Sequence, residues 1–257
     1  MTNGSKRMTP ERFQRINDVL NKRQPDLTVV TDEVHKVRNI SAIVRTCDAV
    51  GIDQIHCVTP KAGFQTYSGT SASADKWVGV NAHTRVAEPL ALLKQQGFQV
   101  VAAHLDSKAV DYRLPDYTKP TALLLGAEID GVSEIAQGFV DHTVVVPMMG
   151  MVESFNVSVA GAIILMEAQR QRQAAGLYDN RRIDDETFRL RFFRWAHPVI
   201  TRFCDDFDFP YPAVREDGEI INLSAWYAQA RKQAAEIKIA RKARRREIAD
   251  RVASEES

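Results

Sequence analysis

The sequence predicts an α/β fold with a mainly parallel sheet flanked by helices. Short apolar runs rich in β-branched residues recur along the chain, and stretches with helical periodicity separate them. Strands that are apolar throughout are typical of sheets buried on both faces, and their alternation with helices indicates parallel pairing. With 257 residues, 44% of them hydrophobic, the chain can form one such core domain with an extension at each end.

Five runs are predicted as strands: LTVV (27–30), QIHCV (54–58), QVVAA (99–103), TALLL (121–125) and TVVVP (143–147). The helices between and after them are expected to end at glycines, because glycine readily adopts the conformation that stops a helix: Gly51, Gly97, Gly138 and Gly176. The first of these helices is expected to have Asn39 as its N-cap, and the last to begin near Asn156 or Ser158.

Both ends of the chain are basic. Residues 1–23 contain six Lys and Arg against two acidic residues, and residues 231–257 contain nine against five. Because the net charge of the whole chain is only +1, the part between them is acidic. Basic ends suit contacts with a polyanion, although two solvated terminal helices would have the same composition. We therefore divide the chain into a basic N-terminal helical arm (1–22), a core domain (23–176) and a basic helical C-terminal extension (177–257).

Several functional classes are disfavoured by what the sequence lacks. The three cysteines form no CxxC pair and the histidines have no metal-ligand spacing with them, so we expect a reducing, cytoplasmic setting and no metal. Neither an export leader nor an apolar run of about twenty residues is present, and we expect no membrane contact. The glycine patterns of dinucleotide sites, phosphate-binding loops and α/β-hydrolases are missing as well.

Polar residues follow three of the predicted strands, at the edge of a parallel sheet where ligands bind. The first loop, DEVHKVRNISAIVR, contains Asn39 and Arg45. Taken alone, Asn39 is a helix cap and Arg45 an exposed helical residue, but apolar neighbours on the same helix lead us to expect Arg45 to be embedded and paired. The second loop, GAEIDG, contains Gly126 and Glu128, which fit either a ligand site or an ordinary tight turn with a solvated carboxylate.

The third loop joins the last predicted strand to the long helix and reads VPMMGMVESFNVSVA. Four polar residues interrupt this join: Glu153, Ser154, Asn156 and Ser158. Capping of the helix accounts for one of them, which we assign to Ser158, but it does not account for four. The loop therefore indicates a site at the N-terminus of the helix.

In this order, NISAIVR, GAEIDG and PMMGMVESFNVSVA closely resemble the three motifs of the SpoU/TrmH branch of the SPOUT RNA methyltransferases. Over residues 9–178 the chain looks most like the tRNA guanosine 2'-O-methyltransferases that act on position 18. The resemblance implies methyl transfer from S-adenosylmethionine to the ribose 2'-hydroxyl of guanosine 18 in the tRNA D-loop. It also implies a SPOUT fold with a C-terminal trefoil knot, a homodimer, and helical extensions that bind tRNA.

The resemblance assigns roles to the residues that match the motifs. The implied catalytic residues are Arg45, Asn39, Glu128, Ser154 and Asn156. The implied cofactor-binding residues are Ala103, Leu125, Gly126, Val146, Met148 and Phe155. Two positions depart from the family pattern, with Phe155 in place of leucine and Glu153 in place of the commoner glutamine.

The resemblance implies a dimer in which Arg45 of one protomer lies near the cofactor of its partner. Because an arginine stays protonated at any working pH, we expect Arg45 to stabilise the developing alkoxide and to orient the ribose or its phosphate, rather than to act as a general base. In such a dimer the apolar face of helix 157–175, with Val159, Ile163 and Met166, is expected in the knot core or the interface.

Two alternatives remain open. The same reaction on ribosomal RNA or on another tRNA nucleoside is disfavoured by the absence of a separate N-terminal RNA-binding domain of the kind that many ribosomal relatives carry. A non-catalytic RNA-binding protein on the same scaffold is disfavoured by the intact motif residues, which an inactive binder need not retain.

Overall fold

The computed structural model describes residues 8–58, 76–128 and 130–255, with side chains described as far as residue 244. The chain forms two compact units. One spans Asp18–Phe188, and the other consists of the described residues up to Asn17 and from Arg189 onward. The Asp18–Phe188 unit contains the sheet and therefore positions the candidate site.

Within the described residues, seven strands form one sheet: β1 (Leu27–Asp32), β2 (Gln54–Val58), β3 (Gly79–His83), β4 (Gln99–Ala103), β5 (Val110–Asp111), β6 (Thr121–Leu125) and β7 (His142–Val145). Their order is β3-β2-β1-β6-β4-β7-β5, and every pair of neighbours runs parallel. The predicted fold class is thereby confirmed. The trefoil knot stays a prediction from the resemblance.

Two strands were not predicted from the sequence. β3 is partly exposed along its whole length and therefore lacks an apolar run, and β5 has only two residues. The last predicted strand is too long, because β7 ends at Val145 and the chain leaves the sheet before residue 147. The apolar pattern thus detects the buried strands but not those at the two edges of the sheet.

The described residues also form eight helices: α1 (Pro10–Asn21), α2 (Val37–Ala49), α3 (Ala87–Gln95), α4 (Glu134–Gln137), α5 (Val157–Ala174), α6 (Asp185–Ala196), α7 (Pro198–Phe207) and α8 (Leu223–Glu255). Three of the predicted glycine stops follow their helices with positive φ angles of 85°, 82° and 72°: Gly51, Gly97 and Gly176. Gly138 caps α4 with right-handed geometry. The prediction of Asn39 as an N-cap is wrong, because α2 begins earlier and Lys36 is its N-cap.

The sheet carries a hydrophobic core on each face, because consecutive residues of the central strand β6 point to opposite sides. Leu123 belongs to a core that includes Ile43 of α2 and Ile164 of α5. Leu124 belongs to a second core that includes Leu90 of α3. Each fully buried leucine contributes about 1.5–3 kcal/mol to folding. This two-sided burial explains why the run TALLL is apolar at every position after the first.

A buried arginine ties the end of α5 to the chain around β1. The side chain of Arg172 is fully buried. It donates to the backbone oxygens of Tyr117, Lys119 and Asp26 at 2.9, 3.0 and 3.1 Å. It also donates to Gln24 Oε1 at 3.0 Å and forms an ion pair of 2.7 Å with Asp26 Oδ1. One cation on α5 therefore satisfies acceptors from two separate segments, residues 24–26 and 117–119.

The second unit packs the beginning of the chain against helices near its end. The Met8 amide donates to Glu219 Oε1 at 2.6 Å. Arg12 Nη2 donates to the Trp195 carbonyl oxygen at 2.9 Å. Both ends of the described chain therefore belong to one unit.

The long helix α8, which the sequence predicted, places three of its basic residues over aromatic rings. The guanidinium of Arg231 lies 4.6 Å from the ring centre of Tyr227. Lys238 and Arg241 lie 5.4 and 5.7 Å from the ring centre of Phe207. Such cation–π contacts hold the stems of the basic side chains against the unit while the charges stay near its surface.

Candidate functional site

A cavity of about 570 Å³ lies at the carboxyl ends of β4, β6 and β7. These strands are neighbours in the sheet, and Ala103 at the end of β4 pairs with Leu125 on one side and Val144 on the other. The volume falls in the range of pockets that bind small ligands and cofactors. The cavity lies at the edge of the sheet where the sequence predicted the site.

Five of the six residues that we expected to bind a cofactor line this cavity: Ala103, Leu125, Gly126, Val146 and Phe155. The sixth, Met148, is not among the lining residues. It lies in the loop after β7, where the side chains of Met149 and Met151 are 94% and 100% exposed. The individual cofactor contacts stay predictions.

Gly126 allows the backbone to make a tight turn directly after β6. Ala127 and Gly131 exchange two backbone hydrogen bonds of 2.9 Å, which close the turn. A Cβ atom on Gly126 would lie 2.2 Å from the carbonyl carbon and oxygen of Gly131 and 2.4 Å from the Val132 nitrogen. Only glycine permits so close an approach of two backbone segments. The tight turn therefore also forms part of the cavity wall, since Gly126 and Gly131 both line the cavity.

Replacing Gly126 with alanine is expected to lower the free energy of unfolding by about 3 kcal/mol or more, because the methyl group meets backbone atoms that the closed turn cannot move. Urea unfolding followed by circular dichroism measures the change. Gly150→Ala is the matched control, because a Cβ atom there meets nothing within 4 Å. Equal stability of the two variants would contradict the rigid turn.

Three of the predicted catalytic residues meet at the mouth of the cavity. Asn39 Nδ2 donates to Glu128 Oε1. Asn156 Nδ2 donates to the same carboxylate oxygen at 3.2 Å and to Asn39 Oδ1 at 3.3 Å. The other carboxylate oxygen, Glu128 Oε2, forms an ion pair with Lys36. Residues from all three sequence motifs thus form one hydrogen-bonded group, which we call the Glu128 cluster (Lys36, Asn39, Glu128 and Asn156).

Asn156 belongs to this cluster and to the helix at the same time. Its Oδ1 accepts from the Ser158 amide at 3.0 Å and from the Ser158 hydroxyl at 2.6 Å, which makes Asn156 the N-cap of α5. The assignment of Ser158 as the cap is therefore wrong. Because the cap uses the amide oxygen, the amide nitrogen is left to donate to the cluster.

Arg45 and Ser154 lie outside the Glu128 cluster. Ser154 lines the cavity, whereas Arg45 does not. Arg45 is exposed on α2, and no hydrogen bond or ion pair joins it to another residue in the described part of the chain. The expectation of an embedded and paired Arg45 is wrong, because its apolar neighbours Ile43 and Val44 face the core while Arg45 points to the outside of the amphipathic helix.

Carboxylates outnumber cations around the cavity. Glu128, Asp130 and Glu153 line it, and Lys36 is the only lysine or arginine among the described residues of its lining. The hydrogen bond from Lys36 holds the pKa of Glu128 below its ordinary value. Burial opposes this effect, and a hydrogen bond from Asn39 and the charge of Lys36 add to it. The carboxylate is therefore ionised at neutral pH. The mouth of the cavity favours a cationic ligand.

Sequence reasoning missed Lys36 and His104. Lys36 lies in the first motif loop, three residues before Asn39, and His104 directly follows the predicted strand 99–103. His104 lines the cavity, where its ring lies 2.9 Å from the position of a Cβ atom on Gly131. Both residues could have been found from the sequence, because each lies just beyond the carboxyl end of a predicted strand.

No group of three or more His, Cys, Asp or Glu side chains is placed to hold a metal ion in the described ranges. The described helices include none that combines the length and the apolar character needed to cross a bilayer. All three cysteines, Cys47, Cys57 and Cys204, are buried free thiols.

Comparison with known families and proteins supports the resemblance. The model of the SpoU rRNA Methylase family matches residues 26–166, and that of the SpoU rRNA methylase C-terminal region matches residues 170–223. The tRNA (guanosine(18)-2'-O)-methyltransferase of Escherichia coli K12 is 43% identical over 223 residues, which cover 86% of this chain and 97% of that protein. A Thermus thermophilus protein of the same name is 51% identical over 187 residues, covering 73% and 96%.

Solved structures agree with the sequence comparisons. The crystal structure of the A. aeolicus TrmH/SpoU tRNA modifying enzyme matches with a TM-score of 0.68 and 40% identity, over 74% of this chain and 97% of that one. The SpoU methyltransferase AviRb from Streptomyces viridochromogenes, in complex with the cofactor AdoMet, matches with a TM-score of 0.52 and 25% identity, over 60% and 62%. The resemblance of the three motifs is thus confirmed, and the chain belongs to the SpoU rRNA Methylase family.

Proposed function

We propose that this protein transfers a methyl group from S-adenosylmethionine to the ribose 2'-hydroxyl of guanosine 18 in tRNA. The relatives from E. coli and T. thermophilus bear that activity in their names. The observation that carries the proposal is the Glu128 cluster, in which Asn39, Glu128 and Asn156 come together from three separate motifs beside a cavity of cofactor size.

The residues around the cavity fit S-adenosylmethionine. This cofactor, when bound, supplies an electrophilic methyl group on a positively charged sulfur. The excess of carboxylates along the lining suits that charge, and the turn at Gly126 exposes backbone groups without a side chain in the way. We propose that it is held by the residues that line the cavity and match the family motifs: Ala103, Leu125, Gly126, Val146 and Phe155.

The polar residues have distinct tasks in this reaction. The ribose oxygen must face the methyl group in line, and positioning of this kind supplies much of the rate. The anchored carboxylate of Glu128 is suited to accept a hydrogen bond from a ribose hydroxyl, and Ser154 offers a hydroxyl at the cavity wall. As the hydroxyl proton is lost to a nearby group or to solvent, negative charge develops on the ribose oxygen, and the guanidinium of Arg45 stabilises it.

We propose that the enzyme is a homodimer in which Arg45 serves the cavity of the partner. Two features of this chain support the proposal. Arg45 is exposed and does not line the cavity of its own chain. Large apolar side chains in the loop after β7 and on α5 are also exposed, as expected for a surface that a second copy covers: Met149, Met151, Val152, Val159 and Met166.

We propose that the basic arm (1–22) and the C-terminal extension (177–257) bind tRNA through its phosphates. The ring-anchored cations of α8, such as Arg231 and Lys238, support this role, because a fixed cation loses less freedom when it meets a phosphate.

The free thiols suit the reducing cytoplasm in which we expect the protein to act.

The proposed function is tested by methylation of unmodified RNA. Purified protein is incubated with a tRNA transcript and labelled S-adenosylmethionine, and the modified nucleotide is mapped. We expect one 2'-O-methyl group at guanosine 18, and none in a transcript with a 2'-deoxyguanosine at that position.

The family name leaves ribosomal RNA as a second candidate substrate. The same assay therefore includes deproteinised ribosomal RNA. Methylation of ribosomal RNA, or of another tRNA nucleoside, would replace the guanosine 18 proposal. Binding of tRNA without any methyl transfer would instead favour a non-catalytic RNA-binding protein.

A further inference from the structure

Lys36 lies where the first motif loop enters α2, and its backbone is held firmly. As the N-cap of that helix it has an extended conformation, with φ −75° and ψ 113°. Its carbonyl oxygen accepts hydrogen bonds from the amides of Asn39 and Ile40 at 2.9 and 3.2 Å. The side chain of Lys36 therefore starts from a fixed point at the mouth of the cavity, which it lines.

With the Lys36 ion pair, both oxygens of the Glu128 carboxylate are bound by donors. Glu128 Oε1 accepts from the neutral amides of Asn39 and Asn156, and Glu128 Oε2 is bound by the Lys36 ammonium. Donors on both oxygens prevent rotation of the carboxylate. Lys36 is also the only charged donor in the Glu128 cluster, and the other charged side chains along the cavity, Asp130 and Glu153, are acidic.

This ion pair is poorly placed to stabilise the fold. The side chain of Lys36 is 70% exposed and that of Glu128 is 23% exposed. Exposed ion pairs contribute little to folding because water screens them and the side chains lose freedom. A lysine at this position is better explained by what it does to the carboxylate than by what it does to stability.

We infer that Lys36 is a positioning residue for methyl transfer, which fixes the orientation of the Glu128 carboxylate beside the reacting ribose. This inference rests on the proposed function. Lys36 acts through Glu128 and needs no contact with the cofactor. The lysine and the glutamate are therefore expected to act as one unit.

The test uses single-turnover methyl transfer by the full-length protein with unmodified tRNA transcript. Lys36→Met keeps the length of the side chain and removes its charge, and we expect the rate to fall roughly tenfold or more. The dissociation constant of S-adenosylmethionine, measured by calorimetry, should stay within about twofold. Lys36→Arg should recover most of the rate. The matched control is Lys94→Met, which removes a comparable exposed ion pair with Asp141 and should leave the rate unchanged.

Two further readouts separate positioning from a general effect on the protein. Because Lys36 lowers the pKa of Glu128, its loss should move the acidic limb of the pH–rate profile to higher pH. The double variant Lys36→Met with Glu128→Gln should be no slower than Glu128→Gln alone, because both changes remove the same interaction.

Several results would overturn the inference. These are an unchanged rate in Lys36→Met, an unmoved acidic limb, or independent losses that multiply in the double variant. A change confined to the KM for tRNA, and lost at high salt, would show that Lys36 binds phosphate instead. If the wild-type protein methylates no RNA, the proposed function fails, and that outcome is distinct from all of these.

Discussion

Arg45→Ala is expected to reduce the rate of methyl transfer by about 100- to 1000-fold, while the affinity for S-adenosylmethionine stays close to that of the wild-type protein. Arg45 is exposed and is not among the cavity-lining residues proposed to hold the cofactor, so its removal leaves those contacts intact. What it removes is the cation that stabilises developing charge on the ribose oxygen. Single-turnover kinetics and calorimetry measure the two quantities separately, and Arg85→Ala serves as an exposed control.

A mixing experiment tests whether Arg45 acts across the dimer. Arg45→Ala and Glu128→Gln chains with different tags are co-expressed. At equal expression, half of the dimers contain one chain of each variant. If each site combines Arg45 of one chain with Glu128 of its partner, one of the two sites in such a mixed dimer is intact. Activity should then recover to about a quarter of the wild-type rate. Activity of the mixture no higher than that of the separate variants would place both residues in the same chain's site. In the single variant Arg45→Ala, weakened cofactor binding would show that Arg45 contacts the cofactor and that its proposed role is wrong.

Arg172→Met is expected to cause the largest loss of stability, about 3–5 kcal/mol, because it removes the donor shared by three backbone carbonyl groups and leaves Asp26 with Arg182 as its remaining ion-pair partner. Arg172 is fully buried and its ion-pair partner Asp26 is only 17% exposed. Urea unfolding followed by circular dichroism provides the measurement. Arg170→Met is the matched control, because Arg170 lies on the same helix but is 67% exposed in its pair with Glu167. A loss as small as that of the control would contradict the structural role of Arg172.

The effect of Arg172 should depend on pH. Burial tends to raise the pKa of Asp26, but hydrogen bonds and charge from Arg172 and Arg182 hold it below its ordinary value. A carboxyl whose pKa is lower in the folded state adds stability that is complete above the unfolded pKa and is lost as the pH falls through the folded one. The difference in stability between wild-type protein and Arg172→Met should therefore be largest at neutral pH and narrow below about pH 4.

The sequence predicted the parts of the fold that depend on local pattern. The run TALLL is buried on both faces, so its composition alone identified it as a strand. β3 escaped detection because its exposed residues carry no apolar pattern. We expected a site beyond the strands' carboxyl ends because ligands of parallel sheets bind there, and the cavity lies at that edge.

The apolar pattern along the chain was enough to indicate the class of the fold, and the resemblance of the three motifs was enough to indicate the family and the motif residues. The three-dimensional structure was needed to show what these side chains contact. It placed Asn39 against Glu128, 89 positions away, instead of at a helix cap, and it turned Arg45 outward. It also brought Lys36 to the carboxylate. Such contacts depend on strand order and on the direction in which each helix faces, and neither is encoded in the local pattern of residues.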